Sequence, residues 1–288
     1  MPCFKPIDVP RKGFVDLRVT VPCGGCIGCR LEKARQWATR IQHEAQLHSA
    51  TSFVTLTYDD SRLPPGGSLR PRDFVLFMKR LRKNLGSRIR FYHCGEYGDD
   101  DGRPHYHAIF FGYMPGDLEI WTQKQGHELF TSASLDKIWG NGRCFIGQVT
   151  HKSAAYVAKY CLKKITGDLA DTHYRRIDPE SGEVHQLHPE YATMSRNPGI
   201  GSEWFSKYRS DVYPRDYVVA QGKITGKPPA FYDRILKRDS PELHDHLKNL
   251  RVTQASAPDK RANQTPRRLA VREEVKRASL SLYRRNKA

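Results

Sequence analysis

The apolar positions of this chain change period several times within its first 170 residues. From Leu31 to Leu47, LEKARQWATRIQHEAQL places Leu31, Ala34, Trp37 or Ala38, Ile41 and Ala45 at helical spacing. FVTLTY, from Phe53 to Tyr58, alternates β-branched and aromatic residues and is closed by the turn cluster DDSRLPPGG. A helix follows whose apolar stripe is Phe74, Phe77, Met78, Leu81 and Leu85, with Arg and Lys facing outward. Arg88 to Tyr97 and His105 to Gly112 read as two strands joined by a loop of Gly, Asp and Pro, the pattern of a hairpin. A short helix near Ser134 to Trp139, a strand near Cys144 to Val149 and a helix from Lys152 to about Ile165 complete the periodic part. Strands separated by helices, with one clear hairpin, predict an α+β fold in which helices flank a central, largely antiparallel sheet. Residues 171–230 are rich in Tyr, His, Pro and Gly without periodicity and predict irregular loops over the core. The expected divisions are an N-terminal Cys-containing segment and helix (1–50), a core (51–170), an irregular extension (171–245) and a basic tail (246–288).

Charge narrows the partners. The 288 residues hold 48 Lys or Arg against 31 Asp or Glu, a formal charge of +17, which makes a polyanion the default partner through counterion release. Twelve Lys or Arg against three acids follow His246, so the tail reads as a solvated charge run or a nucleic-acid-binding arm. Hydrophobic residues at 38% argue against wholesale disorder. With no long apolar run, and no apolar stretch in the opening MPCFKPIDVPRKG, the chain is expected to be soluble, without a membrane partner, and to stay where it is made. Seven cysteines, an odd number with three tightly clustered, suit reduced thiols or a metal knuckle in a reducing cytoplasm better than a disulfide framework.

The segment YHCGEYGDDDGRPHYHAIFFG carries the clearest chemistry. On a strand His105 and His107 project to one face, about 7 Å apart at Cα, while Tyr106 points to the other. If the hairpin turns around Asp100 and Asp101, Glu96 stands across from His105 on that same face. Two nitrogens and one carboxylate with open positions beside them suit Mg²⁺ or Mn²⁺ handling phosphate better than a closed zinc site. In SAAYVAKYCLKKI, Tyr156 and Tyr160 lie one helical turn apart, with Lys159 and Lys163 on the same face. Ala154, Ala158, Cys161 and Ile165 occupy the opposite side with Val157 and Leu162 on its shoulders, so the core face is already filled and the phenols belong to the polar one. A phenol, with a pKa near 10, becomes a nucleophile only when its phenolate is stabilised by cations or a metal. A helix that merely stacks bases is the competing reading.

Two further segments stay open. Cys23, Cys26 and Cys29 can wrap one soft metal such as Zn²⁺, with Cys3 or a histidine such as His43 as fourth ligand; an iron–sulfur cluster or reduced thiols in a tight loop are the alternatives. MSRNPGIGSEWF reads as a turn leading to a Trp-Phe anchor, either packing or contacting DNA. No G-x-x-x-x-G-K-[ST] motif is present, since GKITGKPP has the wrong spacing and lacks the hydroxyl residue, so the sequence carries no recognisable helicase motor.

PCGGCIGC, FVTLTYDD, GRPHYHAIFFG, YVAKYCLKK and MSRNPGIGSEWF together resemble the HUH endonucleases, specifically the two-tyrosine rolling-circle initiators of gokushovirus-type microviruses, over roughly residues 20–210. The resemblance implies an RRM-like endonuclease core in which His105 and His107 bind the metal, Glu96 is a third ligand, and Tyr156 and Tyr160 are paired nucleophiles flanked by Lys159 and Lys163. It further implies nicking of single-stranded origin DNA, a 5′-phosphotyrosine intermediate, a free 3′-OH that primes a host DNA polymerase, and rejoining without ATP. An HUH-type plasmid initiator or transposase, or a non-enzymatic binder of single-stranded nucleic acid, are the alternatives.

Overall fold

The structure is a computed structural model that describes residues 3–14, 16–99, 101–124, 127–160, 164–165, 167, 169–178, 181–220 and 223–285. By contacts the chain divides into two compact units: Met1–Gln36 with Ser210–Val219 and Ile224–Ala288, and Trp37–Arg209 with Ala220–Lys223. The chain opens with a hairpin, β1 (Ile7–Pro10) and β2 (Arg18–Val21), followed by α1 (Ile27–Ala45), β3 (Thr51–Leu56), α2 (Pro71–Leu85), β4 (Arg90–Tyr97) and β5 (Pro104–Phe111). Next come β6 (Glu119–Lys124), β7 (His127–Thr131), α3 (Ala133–Trp139), β8 (Cys144–Gln148) and α4 (His151–Tyr160). Beyond these lie α5 (Leu169–His173), β9 (Arg175–Ile177), β10 (Val184–Gln186), β11 (Tyr191–Met194), α6 (Ser202–Val212), β12 (Val218–Ala220) and β13 (Lys223–Gly226). The helices α7 (Ala230–Asp239), α8 (Pro241–Ala255), α9 (Pro258–Ala262) and α10 (Pro266–Arg285) follow.

The central element of the larger unit is a seven-stranded sheet of order β11-β4-β5-β3-β8-β7-β6, antiparallel at each of its pairings. Alternation along β5 sorts its side chains between two cores. Tyr106, Ala108 and Phe110 join Val54 and Leu56 of β3 beneath Phe74, Phe77, Met78 and Leu81 of α2 and Leu135 and Trp139 of α3. Ile109 and Phe111 join Tyr92 and Cys94 of β4 beneath Ile41 of α1 and Ala154 and Val157 of α4. His105 and His107 share the parity of Ile109 and Phe111, so they lie on the α4 face of the sheet. The expected α+β architecture is the one observed.

Buried polar groups tie the larger unit together. Glu44, almost fully buried, pairs with Arg90 and accepts the Gly201 amide at 2.7 Å. Trp204 stacks on His43 with ring centroids 3.4 Å apart and donates to Gln46 at 2.6 Å, while Ile200 and Phe205 are buried. The Trp-Phe anchor of MSRNPGIGSEWF therefore packs, while the turn before it, Arg196 to Pro198, is exposed. In the other unit Arg251 bridges two carboxylates, donating to Asp216 and to Asp233, and Tyr213 donates to Asp233 at 2.6 Å.

Several elements depart from the periodicity. The described part of helix α4 is His151–Tyr160, and Ile165, expected near the helix end, is non-helical, with its amide donating to the Tyr174 hydroxyl at 2.9 Å. Cys161, Leu162 and Lys163 lie outside the described residues, as does Asp100 in the hairpin turn. Leu85, the last of the α2 stripe, is exposed where left-handed Gly86 caps the helix. The stretch 171–230 is not simply irregular: it holds β11, which extends the sheet beside β4, and α6. Its strands of three or four residues are too short to show a period. The hairpin β6–β7 leaves Ile120, Trp121 and Leu129 exposed and so lacks the one-sided alternation of a half-buried strand. The basic tail is helical; α10 is exposed nearly all round, and such a helix carries no apolar stripe to announce it. Among the described residues no helix is long and apolar enough to cross a membrane.

Two stability predictions follow from this packing. A Cβ at Gly95, which faces Tyr106 across the β4–β5 ladder, would lie 2.8 Å from the Tyr191 ring and 3.1 Å from both Leu69 and Tyr106. Gly95→Ala is expected to cost about 1–3 kcal/mol in urea unfolding, as overpacked cores do, and an unchanged midpoint would contradict this packing. Burial pushes His43 and His93 down to about 3, so both are neutral in the fold and take up protons when it opens. The folded-state values are depressed for bases, so stability is complete above the ordinary value of about 6.5 and falls as pH drops below it, by roughly 1.4 kcal/mol per pH unit per histidine. Unfolding curves between pH 7 and pH 5 should show this slope, and His93→Gln should flatten it.

Candidate metal and tyrosine site

The β4–β5 register sets Glu96 directly opposite His105, as the hairpin index requires. Glu96 and His107 are almost fully buried and His105 half-buried. Glu96 Oε1 lies 3.0 Å from His105 Nε2 and 2.8 Å from His107 Nε2. Burial alone would raise the Glu96 carboxyl; hydrogen bonds from His105 and His107, when their Nε2 atoms carry protons, outweigh it and hold the group below its ordinary value.

Neighbouring oxygens fix which imidazole nitrogens face the carboxylate. His105 Nδ1 is 3.1 Å from the Arg103 carbonyl, which can only accept, so Nδ1 donates and the neutral ring turns a lone pair on Nε2 toward Glu96. His107 Nδ1 lies 2.9 Å from Thr55 Oγ1, on the strand position paired with His107. With Thr55 accepting, the Nε2 of His107 also presents a lone pair. Three acceptor atoms facing one point repel unless a proton or a cation sits among them. Adjacent ligands of a six-coordinate ion with bonds of about 2.1 Å stand about 3.0 Å apart, which is the spacing found. The donor set and its spacing therefore fit one Mg²⁺- or Mn²⁺-like ion held by Glu96, His105 and His107.

Helix α4 brings a phenol to this face. Ala154, Val157 and Ala158 are fully buried against the sheet, which turns Tyr156 outward at 38% exposure. The Tyr156 ring stands edge-on to His107 at 5.2 Å and to Phe53 at 6.2 Å, and Phe53 in turn stacks on His107 at 5.4 Å. Lys159 and Tyr160 occupy the last described turn of α4, Tyr160 one turn beyond Tyr156, and Lys163 lies outside the described residues. Sequence reasoning thus finds Glu96, His105, His107 and Tyr156, which the fold brings together. It misses Thr55 and Phe53, because the β3–β5 pairing that places them joins strands distant in sequence and leaves no local signal.

The cysteines form a separate group in the other unit. Cys3, not His43, completes the set with Cys23, Cys26 and Cys29, all four sulfurs lying within 4.8 Å of one another. His43 is instead buried against Trp204.

Comparison with known proteins bears on both units. The family described as replication-associated protein ORF2/G2P matches residues 51–165, the span from β3 through α4 that contains Thr55, Glu96, both histidines and both tyrosines. The chain is 34% identical to replication-associated protein VP4 of Bdellovibrio phage phiMH2K, over 77% of this chain and 69% of that protein. It is 34% identical to replication-associated protein ORF2 of Spiroplasma virus 4, over 76% and 68% respectively. With replication-associated protein ORF4 of Chlamydia phage 1 it shares 29% over 75% of this chain and 54% of that one. No solved structure matches the chain significantly. On this similarity, and with the site falling inside the matched region, the chain belongs to the replication-associated protein family of microvirus-like phages.

Proposed function

We propose that this protein initiates rolling-circle replication of circular single-stranded phage DNA, as a metal-dependent HUH endonuclease and strand transferase in which Tyr156 is the nucleophile. The observation that carries the reading is the exposed Tyr156 phenol held 5.2 Å, ring to ring, from His107 of the Glu96–His105–His107 group. A rigid two-stranded platform supplies the ligands and a helix packed on the same sheet face supplies the nucleophile, so the two are positioned without a loop rearrangement.

When bound, a divalent ion at Glu96, His105 and His107 would act as a Lewis acid on a phosphate oxygen. The chain's own residues do the rest. Tyr156 Oη attacks phosphorus, giving up its proton to solvent; a P–O bond to the tyrosine forms as the bond to the 3′ oxygen breaks, and that oxygen leaves as a hydroxyl after taking up a proton. The 5′-phosphotyrosine retains the energy of the broken diester, so attack by a later 3′-OH rejoins DNA without ATP. Tyr160, one turn along α4, is the nucleophile for the second cleavage, with Lys159 and Lys163 as cations near the phosphates. Thr55 orients His107. The liberated 3′-OH primes a host polymerase, and a host helicase separates the strands. The basic surplus holds the DNA through its backbone, and the reaction takes place in the bacterial host cytoplasm.

Incubation of the protein and Mn²⁺ with single-stranded oligonucleotides tiling the cognate origin should yield a covalent protein–DNA adduct on denaturing gels. Tyr156→Phe should lower its rate of formation by more than about 10³-fold, as loss of a nucleophile does. His107→Ala should abolish the adduct while leaving salt-dependent binding intact. No adduct from the wild type, or wild-type rates in Tyr156→Phe, would sink the proposal.

Thr55→Val removes the hydrogen-bond partner of His107 Nδ1 but keeps the shape and β-branching of the side chain. It should weaken Mn²⁺ binding, read directly by calorimetry, by about 10–100-fold. Affinity equal to the wild type would show that Thr55 does not orient the ligand.

A further inference from the structure

We infer that Cys3, Cys23, Cys26 and Cys29 form a closed tetrathiolate site for one zinc ion, and that this ion is a folding element of the unit containing both ends of the chain. The sulfur of Cys3 lies 3.7 Å from that of Cys23 and 3.9 Å from that of Cys26. Tetrahedral zinc with Zn–S bonds of about 2.3 Å requires its sulfurs about 3.8 Å apart. A disulfide would bring two sulfurs to about 2.05 Å, and all four cysteines are free. An iron–sulfur cluster distributes its cysteines over several iron atoms and spreads their sulfurs wider than a single ion does.

The backbone is arranged for thiolates. The Phe4 amide donates to Cys26 Sγ, the Cys23 amide to Cys3 Sγ and the Cys26 amide to Cys23 Sγ, each at 3.3 Å. Amides aimed at sulfur favour its charged form, which is the metal ligand. Gly24, at φ +76, turns the chain between Cys23 and Cys26. Cys26 directly precedes α1 and Cys29 sits in its first turn, three residues on and on the same face. Four soft ligands leave no open position, which marks a structural site rather than a catalytic one, and exclude the hard ions suited to the Glu96 centre.

The consequence is mechanical. Between Cys3 and Cys23 the chain forms the β1–β2 hairpin, whose strand residues are mostly exposed and which has too little buried surface to hold itself. An ion at its base fixes both ends of the hairpin to α1. Phe4 and Lys5, next to Cys3, meet Arg272 at 6.0 Å and Glu273 at 3.9 Å, so the clamp also reaches α10. This inference does not depend on the nickase reading.

Full-length protein purified under reducing conditions without chelator should contain one equivalent of zinc by atomic spectroscopy. Cobalt substitution should give the intense visible bands and thiolate-to-metal charge transfer of a tetrahedral tetrathiolate. Glu96→Gln leaves the four cysteines intact and should keep the full equivalent of zinc, which separates the two centres. Cys3→Ser should lower zinc affinity in chelator competition by at least about the 10–100-fold that loss of a mere supporting contact costs. Absence of stoichiometric zinc from the reconstituted wild type, iron in its place, a cobalt spectrum without four thiolates, or Cys3→Ser binding as tightly as wild type would each overturn the assignment. The wild-type measurements decide the matter even if the variant fails to fold.

Discussion

The activity proposed for this protein depends on one register: Glu96 opposite His105 in the β4–β5 hairpin. Because side chains alternate along a strand, a slip of one residue would send both histidines to the α2 face and Tyr106 to the α4 face. Burial on both sides prevents the slip. Tyr106, Ala108 and Phe110 fill one core and Ile109 and Phe111 the other, so neither set can exchange without emptying a core. The Tyr106 hydroxyl adds a polar lock, donating to the Arg70 carbonyl at 2.9 Å and accepting from the Arg70 amide at 3.0 Å. Two imidazoles and a carboxylate thus converge because apolar residues further along the same strands have nowhere else to go.

The same principle governs α4. Ala154, Val157 and Ala158 are small enough to bring the helix close to the sheet, and their burial leaves Tyr156 outward and beside His107. The carboxylate, the rings and the phenol come from β4, β5 and α4, with Thr55 and Phe53 of β3 supporting His107. The cysteine group uses a different device, crossing main-chain amides with sulfurs around a glycine turn at the base of a hairpin whose strands are mostly exposed. One centre is open, buried in a sheet and built of hard and borderline donors; the other is closed and soft. A single ion could not serve both.

What the sequence discloses follows the reach of its periodicities. The α2 stripe, the β3 alternation, the Glu96–His105 pairing and the outward face of Tyr156 are local patterns, and the fold reproduces them. Pairings between distant strands leave no such mark: β3 beside β5, and hence Thr55 on His107, emerges only once the sheet is assembled. Cys3 as the fourth thiol is equally non-local, twenty residues from Cys23, and competes in the sequence with His43 until the structure buries that ring against Trp204. Helices α8 and α10 escape detection for the opposite reason, being so exposed that charge hides their period.

The central claim is that the phenol beside His107 becomes covalently joined to DNA, and peptide mapping tests it most directly. Trypsin cleavage after Lys152, Lys159 and Lys163 places Tyr156 in SAAYVAK and Tyr160 in YCLK, so the two nucleophiles separate cleanly. After a single cleavage of an origin oligonucleotide and nuclease trimming, mass spectrometry should find the residual 5′-nucleotide on Tyr156 in SAAYVAK. An adduct confined to YCLK or to any peptide outside α4, with SAAYVAK unmodified, would contradict the account.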